Sequence, residues 1–346
     1  MSKISKQISL GIDPLTGKRI RKWIYGTSPR DLKQAEKEAI AKFAKEGNVS
    51  NITYKDYEKK WYEAYRSNVQ PHTAQGYKSI LKRSIPLHHR KLKDILKTDL
   101  QKIINDSWDT PSVCIRYSSM MKQLWDCAIS DGICSKNVAC GLKLPKAPKT
   151  DRRPLTKNEL SGIKQAEFDP LERFMMDILT QFGLRPGEAY ALNKQSFDRK
   201  SRTLTINKAV GYDHNKAFLK PPKNEINRVL PVPDNFWEKI PNVKTMYFFV
   251  EEDGQLFRRH KANKFEREIL KKINKAMGGT DQIKVTDMTF YNCRHHKASL
   301  LYYLPGVSLK KKAEYMGHTE KMFIQIYSHM MEEKEDVEAL REAVNL

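Results

Sequence analysis

The stretch from Leu144 to Pro154 does most to limit what this chain can fold into. Pro145, Pro148 and Pro154 are interleaved there with Lys146, Lys149, Arg152 and Arg153. Proline fixes φ and lacks an amide proton, so neither a helix nor a central strand runs through such a segment. The sequence on either side must bury its apolar residues separately, and the chain reads as multidomain. The charge of this linker suits a segment lying along a phosphate backbone; it reads equally well as a solvated connector.

Ahead of the linker lie two patterns. Residues 4–26 read as a β-hairpin: Ile4 to Leu10, a turn-rich Asp13 to Gly17, then Lys18 to Tyr25 with partial alternation of basic and apolar residues. Ser28 as N-cap and Pro29 at the first helical position open a helix with Ala35, Ile40, Phe43 and Ala44 on its apolar side and Gly47 at its end. Residues 50–145 read as all helix. Tyr54, Trp61, Tyr62 and Tyr65 recur at helical spacing, Thr73 to Ile85 and Thr98 to Ile104 form further helices, and Val113 to Ile129 carries Val113, Tyr117, Met120, Met121 and Leu124 along one side. Such stripes are read as core.

After the linker the pattern is mixed. Thr156 to Glu159 forms a capping box, and Phe174 to Phe182 is a helix stopped at Gly183. Arg185 to Glu188 opens another helix. Thr203 to Val210, Ile226 to Val232 and Met246 to Val250 read as strands, and helices return from Lys261 onward.

Composition narrows the class. Hydrophobic residues at 39% and charged residues at 30% describe a soluble globular chain. No apolar run approaches the roughly 20 residues that span a bilayer. The first residues, Met1 to Lys6, lack an apolar signal region, so secretion is not expected. Cys114, Cys127, Cys134, Cys140 and Cys293 are odd in number and include no CxxC pair, which supports neither a disulfide framework nor a zinc site. The net charge of +22 favours a polyanion, above all nucleic acid. Roughly two thirds of the excess lies in residues 1–150, interleaved with acids and aromatics, which argues for folded basic surfaces and against a disordered arm. A merely soluble basic protein is the bland alternative.

Several residues of the last unit could carry phosphate chemistry. Arg185 and Arg294 offer guanidinium groups that match phosphate oxygens bidentately and stay charged. His318, after Gly317, could donate to a phosphate oxygen or shuttle a proton. Tyr327 becomes a nucleophile only where positive charge stabilises its phenolate. Lys223, on what reads as a hairpin turn entering a strand, could swing toward a leaving oxygen and protonate it. Taken singly, each reads as a surface, capping or packing residue.

The ordered set Arg185, Lys223, Tyr291, Arg294, His318, Tyr327 resembles that of the tyrosine recombinase family, the phage-type integrases. Arg185 in Gly-Leu-Arg-Pro-Gly-Glu matches the first family arginine, Lys223 stands eight residues before Pro231, Arg294 matches the arginine of the His-x-x-Arg box, Met316 to His318 matches the Leu-Gly-His box, and Tyr327 precedes Ser328 and His329. The resemblance covers nearly the whole chain, since Thr53 to Trp61, Thr73 to Tyr77, Lys93 to Ile95, Ala128 and Asn137 look like the family's core-binding domain. The segment Asp13 to Arg19 looks like the small arm-binding domain. There are two departures. Tyr291 stands where the family has histidine, and the N-terminal unit offers two strands where three are usual.

The resemblance implies a fold that is mainly α with small β-sheets. An arm-type DNA-binding domain at 1–48, built from a β-hairpin or sheet plus a helix, precedes a helical core-binding domain at 49–145. A linker at 146–154 then leads to a mixed, mainly-α catalytic domain at 155–346. It implies cleavage and rejoining of DNA by Tyr327 through a 3′-phosphotyrosyl link, with Arg185 and Arg294 clamping the phosphate, Lys223 as acid, His318 assisting, Tyr291 in a phosphate contact, and neither metal nor other cofactor. Lys18, Arg19, Arg21 and Lys22 of the hairpin, and Lys82 and Arg83 of the helical unit, are the candidate DNA contacts. Implied partners are double-stranded DNA with core and arm sites, three further copies in a tetramer on DNA, and a directionality factor or host DNA-bending protein, in the cytoplasm of a bacterial host and away from any membrane. The tail from Glu332 to Leu346 would dock on a neighbour or on its own domain. Other classes that fit are a chromosome-dimer resolvase, a non-catalytic DNA-binding regulator on the same scaffold, and a type IB-like relaxing enzyme.

Overall fold

The computed structural model describes residues 4–12, 19–46, 51–146 and 153–327. The chain divides into two compact units, Met1–Lys149 and Thr150–Leu346.

In the first unit β1 (Ile4–Ile12) pairs antiparallel with β2 (Arg19–Gly26), with a register shift between Ser9 and Gly11. Lys6 faces Ile24 and Ile8 faces Lys22 across the ladder. Side chains alternate along a strand, so Ile8, Leu10 and Ile24 share one face. That face packs on α1 (Pro29–Glu46) through Leu32, Ala35 and Ala39. The expected cap holds, since the Asp31 N–H donates to Ser28 Oγ at 3.2 Å. The expected apolar side needs correction: Ile40 is exposed, because the stripe that meets the hairpin runs through positions 32, 35 and 39, one residue out of phase with it. The described part of this sheet has two strands.

The helices α2 (Tyr54–Arg66), α3 (Pro71–Leu81), α4 (Lys97–Asn105) and α5 (Pro111–Ser130) enclose a second core of the first unit. Tyr54, Tyr57 and Trp61 form the inward stripe of α2, whereas Tyr65, expected there, is exposed. The third helix stops at Leu81 and continues as a 3-10 segment, Lys82–Leu87, because Pro86 cannot donate the bond an α-helix needs.

The second unit opens with α6 (Lys157–Gln165), where the expected capping box is present: Thr156 Oγ1 accepts from Glu159 N at 3.2 Å and Glu159 Oε2 accepts from Thr156 N at 2.9 Å. Then follow α7 (Pro170–Phe182) and the short α8 (Pro186–Tyr190). The strands β3 (Phe197–Asp198), β4 (Thr203–Ile206), β5 (Ala209–Asp213), β6 (Lys216–Lys220) and β7 (Arg228–Pro231) form two antiparallel sheets, in the orders β3-β4-β7 and β5-β6. The expected single strand from Thr203 to Val210 is therefore two strands in different sheets. Met246 to Val250 forms only isolated bridges, Tyr247 with Asn193 and Val250 with Leu256. The helices α9 (Arg259–Ala276), α10 (Phe290–Tyr302), α11 (Leu309–Met316) and α12 (Glu320–Tyr327) complete the described chain. Phe174, Phe182, Phe236, Phe249 and Phe290 lie fully buried in the main core, and Ala298, Ala313, Met316 and Phe323 lock α10, α11 and α12 together. Among the described residues no helix is long and apolar enough to cross a membrane.

Candidate active site

Three helix ends build the site. The seventh helix stops at Gly183, whose φ of 64° is the left-handed conformation that glycine adopts without Cβ strain. The chain then buries Leu184 and turns into α8, with Arg185 at its N-cap. The eleventh helix stops the same way at Gly317, φ 61°, and the His318 N–H closes the turn on Ala313 O at 2.9 Å. Helix C-termini leave carbonyls without intrahelical partners. Here arginines take them: Arg185 Nη2 donates to Gly317 O at 3.2 Å, Arg294 Nη1 donates to Gly183 O at 2.7 Å, and Arg294 Nη2 donates to Met316 O. Arg294 projects from α10 and is 4% exposed.

A buried carboxylate holds the arrangement electrostatically. Glu188, on α8, is 1% exposed. Its Oε2 accepts from Arg185 N at 2.9 Å and its Oε1 from Arg185 Nη1 at 2.8 Å. Arg228, the first residue of β7, forks onto the same carboxylate, Nη2 to Oε2 at 2.6 Å and Nη1 to Oε1 at 3.2 Å. Burial would raise the Glu188 carboxyl, but the bond and charge of Arg228, with the fields of Arg185 and Arg294, override it and hold the group down at about 2.

His318 completes the cluster. Its Nε2 lies 2.9 Å from Arg294 Nη2. A guanidinium only donates, so Nε2 accepts and the neutral ring carries its proton on Nδ1. Burial, then the charges of Arg294, Arg185 and Arg228, push the imidazole down to about 3, and at neutral pH it is uncharged.

The structure thus brings Arg185, Arg294 and His318 together at the turn Met316–His318. Tyr327 is the last residue of α12, which starts two residues after His318 and is anchored by the buried Phe323. The Tyr327 side chain lies outside the described part. Tyr291 sits one turn before Arg294 on α10 and is 54% exposed. Lys223 is exposed on a 3-10 turn, Lys223–Glu225. That turn is not a hairpin turn: β6 pairs with β5 and β7 with β4, so it joins two sheets, and Pro221 and Pro222 supply no amide protons to a ladder there.

Of the candidate DNA contacts, Lys18 lies outside the described residues. Arg19 and Arg21 stand with Trp23 and Tyr25 on the hairpin face turned away from α1, whereas Lys22 lies on the opposite face beside Ile24. Lys82 and Arg83 are exposed on the 3-10 segment, and Arg83 Nη1 donates to Ser107 Oγ at 2.5 Å. Sequence reasoning missed Arg228 and the two glycine carbonyls. The signal for Arg228 was its inward position in β7, alternating with Val229 and in step with the buried Leu230.

Residues 155–334 match the model of the phage integrase family. The chain belongs to the phage integrase family. Residues 53–107 of this integrase-family chain also match the N-terminal SAM-like domain of phage integrases. The chain is 25% identical over 359 residues to the protein named "Prophage ps2 probable integrase" of Lactococcus lactis subsp. lactis (strain IL1403), with 92% of each covered. Among solved structures, the fold is similar to that of the Tn1549 transposon integrase in complex with a circular intermediate DNA, with a TM-score of 0.67 at 18% identity over 84% of this chain and 99% of that one. It is also similar to a lambda integrase tetramer bound to a Holliday junction, with a TM-score of 0.61 at 17% identity over 89% of this chain and 92% of that one. The expected fold, mainly helical with small sheets, is the integrase fold. Among the described residues no three His, Cys, Asp or Glu side chains gather as metal ligands.

Proposed function

We propose that this integrase-family chain is the site-specific recombinase that inserts and excises a mobile element, cutting and rejoining DNA through a 3′-phosphotyrosyl intermediate. The observation that carries the mechanism is the convergence of Arg185, Arg294 and His318 on the turn that leads directly into the helix ending at Tyr327.

In this mechanism the guanidinium groups of Arg185 and Arg294 meet the non-bridging oxygens of the scissile phosphate and stabilise the charge of the pentacoordinate transition state. Tyr327 gives its proton to solvent as its oxygen bonds to phosphorus. The bond to the 5′-oxygen breaks, and Lys223 gives that oxygen a proton. The neutral His318 ring shares a hydrogen bond with the phosphate and takes part in proton transfer. Tyr291, exposed on the turn before Arg294, donates its hydroxyl to the phosphate. A 5′-hydroxyl from a second duplex then attacks the phosphotyrosyl link. The phosphoester energy is retained throughout, so the scheme calls on neither metal nor ATP.

The partners follow from the same reading. Core sites engage the helical and catalytic units (49–145 and 155–346), with Lys82 and Arg83 among the phosphate contacts, and arm sites engage the hairpin unit (1–48). Strand exchange between two duplexes needs four active sites, hence a tetramer, with a directionality factor or host bending protein setting the outcome in the bacterial cytoplasm.

The test is a nicked suicide duplex carrying the attachment site, incubated with the protein in a metal chelator. A denaturation-resistant adduct, lost in Tyr327→Phe, supports the mechanism. Binding without an adduct on a verified site would favour a regulator. Adducts that never join a second duplex would favour a relaxing enzyme.

A further inference from the structure

We propose that Arg228 is a positioning residue for DNA cleavage, acting through Glu188 to keep the Arg185 guanidinium available to the phosphate; the proposal rests on the recombinase reading above. Arg228 is 7% exposed, so it does not present itself to DNA as a surface cation. Its two Nη groups engage both oxygens of Glu188, at 2.6 and 3.2 Å. Of the Arg185 guanidinium only Nη1 lies on that carboxylate, at 2.8 Å, beside the backbone N–H at 2.9 Å, while Nη2 donates to Gly317 O at 3.2 Å.

The two arginines therefore compete for one carboxylate, and the geometry decides between them. Parallel two-point pairing is the preferred way for guanidinium to meet carboxylate. Arg228 has that arrangement and Arg185 does not. If Arg228 were absent, Glu188 would be free to draw Arg185 into a two-point pair and turn its donors inward, away from the phosphate. With Arg185 and Arg294 beside the same carboxylate, Arg228 also adds a further positive charge to the cluster that attracts an anion.

Two further contacts fit. A Cβ at Gly317 would lie 3.1 Å from Arg228 Nη1 and 3.6 Å from Arg185 Nη1, so both guanidinium groups abut the turn that presents His318. Arg228 also starts β7, which follows the Lys223 turn in the chain. Fixing Arg228 on Glu188 thus limits how far Lys223 can travel from the arginines, since the residues between them span at most about 3.5 Å each.

The experiment measures single-turnover cleavage of the suicide duplex at saturating protein, alongside duplex affinity and circular dichroism. Arg228→Met should keep fold and affinity while cleavage falls about 100-fold, as expected when a catalytic group is displaced by an ångström or so. Arg228→Lys, which keeps the charge and loses the fork, should also be slowed. Adding Glu188→Gln to Arg228→Met should restore part of the rate, because the amide no longer captures Arg185. A purely structural ion pair would give no such recovery. Wild-type cleavage in a folded Arg228→Met, or in a folded Arg228→Lys where the Met variant does not fold, overturns the proposal; so does loss of folding in both. An inactive wild-type protein on its verified site overturns instead the recombinase reading beneath it.

Discussion

Arg294 donates to the carbonyl of Gly183 at 2.7 Å across 111 residues of chain, and this one bond ties α10 to the end of α7. It exists because Gly183 ends its helix in the left-handed conformation and leaves a carbonyl facing α10. A Cβ at that position would come within 2.9 Å of Lys297 Cβ. Gly183→Ala is expected to destabilise the second unit by about 1–3 kcal/mol from backbone strain and crowding, and to reduce adduct formation by moving Arg294. Urea unfolding followed beside suicide-duplex cleavage checks both; an alanine variant with wild-type values in each would show that the close approach relaxes freely.

Glu188→Gln breaks a buried ion network from its acidic side. Removing one partner strands Arg228 in the interior, which costs about 3–5 kcal/mol at neutral pH. The acid dependence has a definite sign. The folded carboxyl sits at about 2 and the ordinary value is 4.5, so its contribution is complete above pH 4.5 and disappears as the pH falls from there toward 2. The gap between wild type and Glu188→Gln in acid unfolding curves should close across that window. A gap that persists unchanged to pH 2 would contradict the ion-pair assignment.

His318 behaves oppositely to an exposed histidine. Its folded value of about 3 lies below the ordinary 6.5, so the unfolded chain binds a proton that the folded site refuses. Its contribution to stability is therefore complete above pH 6.5 and declines as the pH drops through 6.5 toward 3. In the free protein, the imidazole resonances of His318 should stay constant from pH 8 to pH 5 and show the Nδ1–H tautomer. A titration midpoint near 6.5 would mean the ring is not enclosed by Arg294 and Arg185 as described.

On the hairpin, strand alternation separates residues that adjoin in sequence. Arg21→Ala should weaken arm-site binding and reduce the slope of log affinity against log salt by about 1, as expected for one lost phosphate contact. Trp23→Ala, on the same face, should weaken binding too. Lys22→Ala, on the face shared with Ile24, should change little. Equal losses for Lys22 and Arg21 would show that both faces meet DNA.

Tyr291→Phe removes a single hydroxyl from an exposed position. A hydrogen bond to a charged phosphate is worth enough to slow cleavage about tenfold when lost. Full activity in this variant would take Tyr291 out of the site and leave Tyr327 as the tyrosine with chemistry.

Much of the helical architecture was legible because it is written locally. Thr156 with Glu159, Ser28 with Pro29, and the stop at Gly183 are signals that act within a few residues, and each appears as read. Strands were harder. Thr203 to Val210 looked continuous, yet its two halves pair with different partners, and pairing is decided by residues far along the chain. The placing of Ile40 and Tyr65 failed for a related reason: a helix offers several apolar stripes, and the neighbour it packs on selects one.

Read along the chain, the groups appear in fixed order: Arg185, Lys223, Arg294, His318 and Tyr327, punctuated by Gly183 and Gly317, in a strongly basic chain. Those are properties of residue type and spacing. Tertiary structure alone decided that Glu188 is buried beneath two arginines, that Arg228 is the second of them, and that the carbonyls of two helix ends hold the guanidinium groups. Desolvation and Coulomb energy depend on distance in space, and no spacing along the chain encodes the 2.6 Å between Arg228 and Glu188, which are 40 residues apart.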